Sequence, residues 1–407
     1  MRAMRTVAEH ASVLAALLRP TPVEATPLVD ALGLVLGRDL LSPLDLPPFD
    51  NSAMDGYVAR ADDLPGDDGY PVTLAVSHDI PAGRTDDRSL PRGQVARIMT
   101  GAPLPAGGDV IIPVERTDGG ARTVRIDSAP APGVHVRRRG EDLATGSVAL
   151  PGGTVIGPAH IGLAAALGLT TLDVRRPLRV TVLSTGSELV PPGRPLEPGQ
   201  IYESNSPMLA AALRAIGARV RIERFVADDV PALLTALDRA ADGADLVLTS
   251  GGVSAGAYEV VKDALSAPGP GDTGAVVDFV KVAMQPGMPQ GAGSFAGVPL
   301  ITLPGNPVSS FVSFEVFLRP LIRAAMGHPD VTRPVVRVPL TEPITSPAGK
   351  RQFRRGHLDT VAGTVSAWGG PGSHLLSWLA GADCMIVVDE DATALQAGDE
   401  VEVWLLD

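Results

Sequence analysis

The chain has 407 residues, 45% of them hydrophobic, and a formal net charge of −12, so it holds material for about two to four cored domains. The acidic balance argues against wholesale binding to nucleic acid or to an anionic membrane surface, and no run approaches the roughly 18 apolar residues of a membrane span. Cys384 is the single cysteine, which rules out an intrachain disulfide and a thiolate zinc site, and without a convincing leader pattern a soluble cytoplasmic protein is expected.

In chain order, helical spacing covers 6 to 19, with Thr6 as N-cap and Pro20 and Pro22 ending the helix. From about 40 to 140 the pattern turns to short strands broken by Pro and Gly, as in Tyr70 to Val76 and Asp109 to Val114, and reads as a small β domain. Pro158 to Gly168 returns to a short Ala-rich helix with proline in its first turn.

From Arg179 to about Met326 strand and helix alternate. Strands are expected at Arg179 to Leu183, Arg219 to Val226, Asp245 to Leu248, Val276 to Val282 and Leu300 to Leu303. Helices are expected from Ser206-Pro207 to about Ile216, from Pro231 to Ala241, and unbroken from Val308 to about Ala325. Such alternation predicts a three-layer, mostly parallel α/β domain. Residues 331 to 407 revert to short strands and turns, consistent with a small barrel or sandwich. The expected division is 1–176, with an inserted β domain at about 46–140, then 177–328, then 329–407.

Three of the predicted strands run into glycine-rich segments: Ser184-Thr185-Gly186-Ser187-Glu188, Thr249-Ser250-Gly251-Gly252-Val253-Ser254-Ala255-Gly256, and Leu303-Pro304-Gly305-Asn306-Pro307. In one parallel sheet these would meet at the carboxyl edge, where open α/β sheets bind ligands. Hydroxyls, free N–H groups and helix N-termini there suit phosphate or another oxyanion. Singly, each loop reads equally as a tight turn, and neither a Walker A nor a dinucleotide pattern is present.

Glu188, Asp228, Asp229 and Glu259 stand at or just after predicted strand ends. Carboxylates beside phosphate call for a divalent cation between them, with Glu188 and Asp228 the better candidates; the alternative is capping or a solvated surface. Arg137-Arg138-Arg139 concentrates cationic charge, either as a phosphate fork or as a solvated face. Lys281 is either a snorkelling edge residue or a buried phosphate partner. Asp50 to Tyr57 and Thr100-Gly101-Ala102-Pro103 read by themselves as turns.

Together these segments resemble the molybdopterin molybdenumtransferases, the family of bacterial MoeA and the gephyrin E domain. The resemblance is carried in order by Asn51 to Tyr57, Met99 to Pro103, Arg137 to Asp142, Ser184 to Leu189, Ser250 to Ser254 and Leu303 to Ser309. It implies a central MogA-like domain, an N-terminal split helical and β region, a C-terminal β-barrel, and an elongated homodimer with active sites between subunits. It further implies insertion of molybdenum from molybdate into adenylylated molybdopterin with Mg²⁺ assistance, releasing AMP. Delivery would be to other cofactor-biosynthesis proteins and apo-molybdoenzymes.

Carried over by position, Asp55 and Thr100 of one subunit would help place nucleotide and oxyanion at the other's site. Glu188 and Asp228 would serve the metal or polarise water, while Arg137 and Lys281 would neutralise phosphate and molybdate. Ser184, Thr185, Gly186, Ser250, Gly251, Gly252, Ser254, Glu259, Pro304, Gly305, Asn306, Pro307 and Ser309 would hold the substrate, with Arg355 and Ser373 near molybdate.

The chain departs from the pattern at Gln285-Pro286-Gly287-Met288-Pro289, where the family commonly shows Lys-Pro-Gly-Lys-Pro. Ala257 replaces an expected Asp, and Glu259 stands where Asp is usual. Each missing cation near a phosphoryl centre is worth on the order of a few kcal/mol of transition-state stabilisation. Two functions therefore compete, a molybdenum-inserting enzyme and a catalytically weakened binding or scaffold homologue; a third, a bare nucleotide-binding enzyme, has the missing nucleotide motifs against it.

Overall fold

A computed structural model describes residues 4–83, 89–224, 230–251, 265 and 276–406. The chain divides into two compact units. One comprises Met1–Gly37, Val155–Gly157 and Leu172–Asp407, and the other Arg38–Thr154 and Pro158–Thr171. Among the described residues no helix is long and apolar enough to cross a membrane.

The smaller unit is built on a five-stranded sheet in the order Val110–Pro113, Gly56–Ala59, Gln94–Ile98, Val72–Ile80, Thr123–Ile126. Successive side chains alternate between two apolar clusters: Tyr57, Ala59, Val95, Val110 and Ile112 pack on one face, and Val58, Ala96, Ile98 and Ile111 on the other. Because both faces are covered there, Gly56–Ala59 and Val110–Pro113 are buried throughout and read as continuous apolar runs, whereas Thr123–Ile126 at the sheet's end alternates exposed and buried. The two-residue strand Asn51–Ser52 pairs antiparallel with Val136–Arg137, which sets Asn51 opposite Arg137. The helix Pro158–Ala166 completes the unit with proline at its first position, as its sequence predicts.

In the larger unit the helix Val7–Ala15 starts on a capping box: Thr6 Oγ1 accepts from the Glu9 N–H and the Thr6 N–H donates to Glu9. It is shorter than the expected 6 to 19. Pro20 disfavours helical geometry at the residue before it, and the chain leaves to bond Ala325 O through the Thr21 N–H at 2.8 Å.

The elements of the central α/β part are numbered β1 (Arg179–Ser184), α1 (Asn205–Ala215), β2 (Arg219–Arg224), α2 (Val230–Ala241), β3 (Leu246–Ser250), β4 (Val276–Lys281), β5 (Pro289–Phe295), β6 (Val298–Leu303) and α3 (Pro307–Ser313). They form one six-stranded sheet in the order β2-β1-β3-β6-β5-β4. The β2-β1, β1-β3 and β3-β6 pairs are parallel, and β5 is antiparallel to both its neighbours. Val180, Val182, Leu246, Leu248 and Ile301 pack on one side with Leu209 and Leu213 of α1. Leu183, Val247 and Leu300 pack on the other with Leu233 and Leu237 of α2. The expected three layers are present.

Strand β5 has no counterpart in the predicted elements, because Pro289-Gln290-Gly291-Ala292-Gly293-Ser294-Phe295 carries little apolar signal. Its glycines are set by contact: a Cβ on Gly293 would lie 1.8 Å from Val276 O, and one on Gly291 2.0 Å from Thr302 Oγ1.

The long helix expected after Val308 is helical throughout but changes pitch. α3 passes into a π-helical turn, Phe314–Leu318, before α-geometry resumes at Arg319–Ala325. Pro320 has no N–H for the carbonyl one turn back, and a widened turn relieves that conflict. Between barrel or sandwich, the C-terminal region resolves as a closed sheet. Strand Thr364–Ala367 pairs with Arg351–Asp359, and the order continues through Cys384–Val388, Glu400–Leu405 and Val335–Pro339. A bridge from Leu340 to Val365, with the Thr341 N–H on Val365 O at 2.9 Å, closes it. Val365, Cys384, Ile386, Val401 and Val403 are among the residues of its interior. Burial pushes the Cys384 thiol up, so it stays protonated.

Candidate active site

Strands β1, β3 and β6 are parallel neighbours, so their carboxyl ends deliver the glycine segments side by side. The Thr185 N–H donates to Ser250 O at 3.2 Å and the Gly251 N–H to Leu303 O at 3.2 Å. Gly251 has φ +98°, and a Cβ there would lie 2.7 Å from Thr185 O. A Cβ on Gly305 would lie 3.5 Å from the Gly251 Cα. Backbone therefore approaches backbone at both seams, which only glycine permits at 251.

The start of α1 joins these loops. Glu203 Oε1 accepts from Ser184 Oγ at 2.8 Å and from the Ser206 N–H at 2.8 Å, and Ser184 Oγ also meets Ser206 Oγ. Asn205 Nδ2 donates to Ser250 Oγ at 2.7 Å and to Gly305 O at 2.6 Å. Sequence reasoning took only Ser206-Pro207 from this segment, as a helix start. The signal that could have found the rest is the unbroken polar run Glu203-Ser204-Asn205-Ser206, at a helix start that βαβ topology brings to the edge the loops occupy.

At the third loop Pro304 is buried, while Gly305 and Asn306 are exposed. Asn306 is the N-cap of α3 and Pro307 its first residue. Ser309 is only 4% exposed, within the first turn, and Ser310 Oγ is spent on Pro304 O. Asn306 Nδ2 donates to Ser373 Oγ at 2.8 Å, and the Val308 N–H to Ser373 O at 3.1 Å. Arg355, 6% exposed, gives its guanidinium to the carbonyls of Gly370 and Gly372. It shapes the loop that brings Ser373 to Asn306. Burial, and then Arg354, lower its pKa.

Lys281 ends β4 at the same sheet edge, exposed and two strands from β6, or roughly 10 Å at ordinary strand spacing. Of its two readings the structure realises the exposed edge residue. Glu188 is exposed and folds back over its own loop, since a Cβ on Gly186 would lie 2.6 Å from Glu188 Oε2. Asp228, Asp229, Gly252, Ser254, Ala257 and Glu259 lie outside the described residues.

In the smaller unit Asp55 Oδ1 accepts from the Thr100 N–H at 2.6 Å and from Thr100 Oγ1 at 2.8 Å. The N–H first, and then the hydroxyl, hold the Asp55 carboxyl below the usual range. The basic run is sorted by its partners. Arg138 pairs with Asp50 at 2.7 Å and Arg139 pairs with Asp45. Arg137 is exposed, and it alone of the run has no carboxylate partner among the described residues.

Three family models match in order: "MoeA N-terminal region (domain I and II)" at 5–168, "Probable molybdopterin binding domain" at 181–324 and "MoeA C-terminal region (domain IV)" at 337–406. Molybdopterin molybdenumtransferase 2 of Mycobacterium tuberculosis strain H37Rv is 55% identical, with 98% of this chain and 99% of the relative aligned. The chain belongs to the MoeA family. The molybdopterin molybdenumtransferase of Haemophilus influenzae is 34% identical over 94% of each chain. A crystal structure of a molybdopterin biosynthesis MoeA protein from Pyrococcus horikoshii superposes at TM-score 0.84, with 29% identity and complete coverage of both chains.

In this MoeA-family chain, the part matched as a molybdopterin binding domain contains the three loops together with Glu203 and Asn205. Of its departures, Gln285 and Met288 lie within the described residues. Gln285 Oε1 accepts from Gln352 Nε2 at 2.7 Å, so that side chain is engaged with the barrel strand. Among the described residues no three His, Cys, Asp or Glu side chains are grouped to hold a metal. The described oxygen donors at the loops and the start of α1 are the carboxylates of Glu188 and Glu203 and the hydroxyls, with Glu203 engaged by Ser184 and Ser206. These hard oxygens fit Mg²⁺, which is commonly held by one or two carboxylates plus substrate phosphates.

Proposed function

We propose that this chain inserts molybdenum from molybdate into adenylylated molybdopterin, releasing AMP and forming molybdenum cofactor. The observation that carries the reading is the sheet edge, where three loops and the start of α1 form one hydrogen-bonded cradle of glycine backbone and hydroxyls. It supports binding of the pterin and its phosphates along the loops at 184–188, 249–251 and 303–307.

Glu188 and Asp228 would hold Mg²⁺, which supplies charge neutralisation on the phosphates when bound. Arg137, which has no carboxylate partner among the described residues, and exposed Lys281 would meet anionic oxygens. Asp55, kept ionised by Thr100, accepts hydrogen bonds instead of donating protons. In a cytoplasmic homodimer, Asp55 and Thr100 of the partner subunit would serve the nucleotide end of the site. Asn306 and Ser373 would border the molybdate position, with Arg355 shaping the Ser373 loop.

A second reading, a binding or scaffold homologue with weakened turnover, rests on Gln285 and Met288 standing where the resemblance leads one to expect cations. Incubation of the purified protein with adenylylated molybdopterin, Mg²⁺ and molybdate separates the two. The transferase yields molybdate-dependent AMP and reconstitutes an apo-molybdoenzyme; tight binding without AMP establishes the scaffold. In the same assay, mixing Asp55→Asn with Glu188→Gln protein restores AMP release when active sites are shared across a dimer. Two inactive variants that stay inactive when mixed refute sharing.

A further inference from the structure

Asn205 is the first residue of α1, directly after the N-cap Ser204, where an Asn side chain ordinarily turns to its own helix start. Both amide hydrogens go instead to distant segments, Ser250 Oγ at a sequence separation of 45 residues and Gly305 O at a separation of 100. The two acceptors fix the amide's orientation, since a flipped amide would set its oxygen against the Gly305 carbonyl. The outcome leaves Asn205 Oδ1 buried with no partner among the described residues, which carries a desolvation cost. A polar side chain kept only for packing has no reason to carry that cost. A clamp that must reach two loops at once does.

We propose that Asn205 is a positioning residue that sets the spacing between the Gly251 and Gly305 loops, and so the width of the slot into which the pterin enters. Glu203 does the companion task for Ser184, so three loops take their relative positions from one helix start. The inference rests on the sheet edge being the pterin site.

The test measures affinity for molybdopterin, by tryptophan fluorescence and calorimetry, in wild type, Asn205→Ala and Asn205→Asp. Alanine removes both donors without adding charge, so the expected result is a protein that melts normally and binds about tenfold or more weakly at every pH. Aspartate is isosteric but at pH 8 donates nothing. Facing a carbonyl and desolvated, it takes up a proton more readily than a free carboxylate, and the protonated acid restores one donor. Its deficit relative to wild type should therefore shrink between pH 8 and pH 6, while that of Asn205→Ala stays constant. A generally loosened fold would not produce that difference. Wild-type affinity in Asn205→Ala, or parallel pH profiles for the two variants, overturns the positioning role. Absence of binding by wild type overturns the site assignment and the inference together.

Discussion

At the scale of single residues, the chemistry depends on positions where one atom more or fewer changes the outcome. Gly251 is the clearest case, with a left-handed backbone and a neighbouring carbonyl 2.7 Å from where a Cβ would stand. Gly251→Ala is expected to cost about 1–3 kcal/mol of stability through strain and to weaken molybdopterin binding tenfold or more. Thermal melting and titration together check this, and unchanged affinity would detach Gly251 from the site. Such glycines were legible in the sequence because three strand-then-Gly segments recur within one α/β pattern, although each alone reads equally as a tight turn. Asn205 and Glu203 were not, because an Asn or Glu near a helix start is ordinary capping chemistry until its partners in remote loops are known. The arginine run was legible only as a run. Which cation is free depends on Asp45 and Asp50, about 90 residues away in sequence.

At the scale of elements, parallel strands were readable as apolar runs, and amphipathic helices α1 and α2 as 3.6-residue spacing. Strand β5 was hidden because close strand approach demands glycine where a strand ordinarily shows side chains. The sheet's other end depends on charge. Asp245, at the entry to β3, accepts from Arg176 at 2.6 and 3.1 Å and from the Arg179 N–H at 2.8 Å. Burial raises the Asp245 pKa, but the Arg176 and Arg179 bonds outweigh it and hold the carboxyl far below its ordinary value. A carboxylate with a depressed folded pKa stabilises above its unfolded value and loses that contribution as pH falls. Asp245→Asn should therefore cost about 2 kcal/mol near neutral pH. The gap from wild type should hold down to about pH 5 and narrow toward pH 3. Denaturant titration across that range reads it, and a gap that widens with acid would reverse the sign argued here.

At the scale of the whole molecule, family membership was recoverable because six weak motifs occur in one order, a constraint no single motif carries. The C-terminal barrel was less legible, since its closure runs through an isolated bridge at Leu340 and Val365. The central claim is that loops far apart in sequence form one ligand edge. Amide hydrogen exchange, followed while adenylylated molybdopterin is titrated into the full chain, tests it most directly. Protection should rise together, at one ligand concentration, over 184–188, 249–251 and 303–307 and at the start of α1. Protection confined to a single loop, or located away from this edge, would contradict the account.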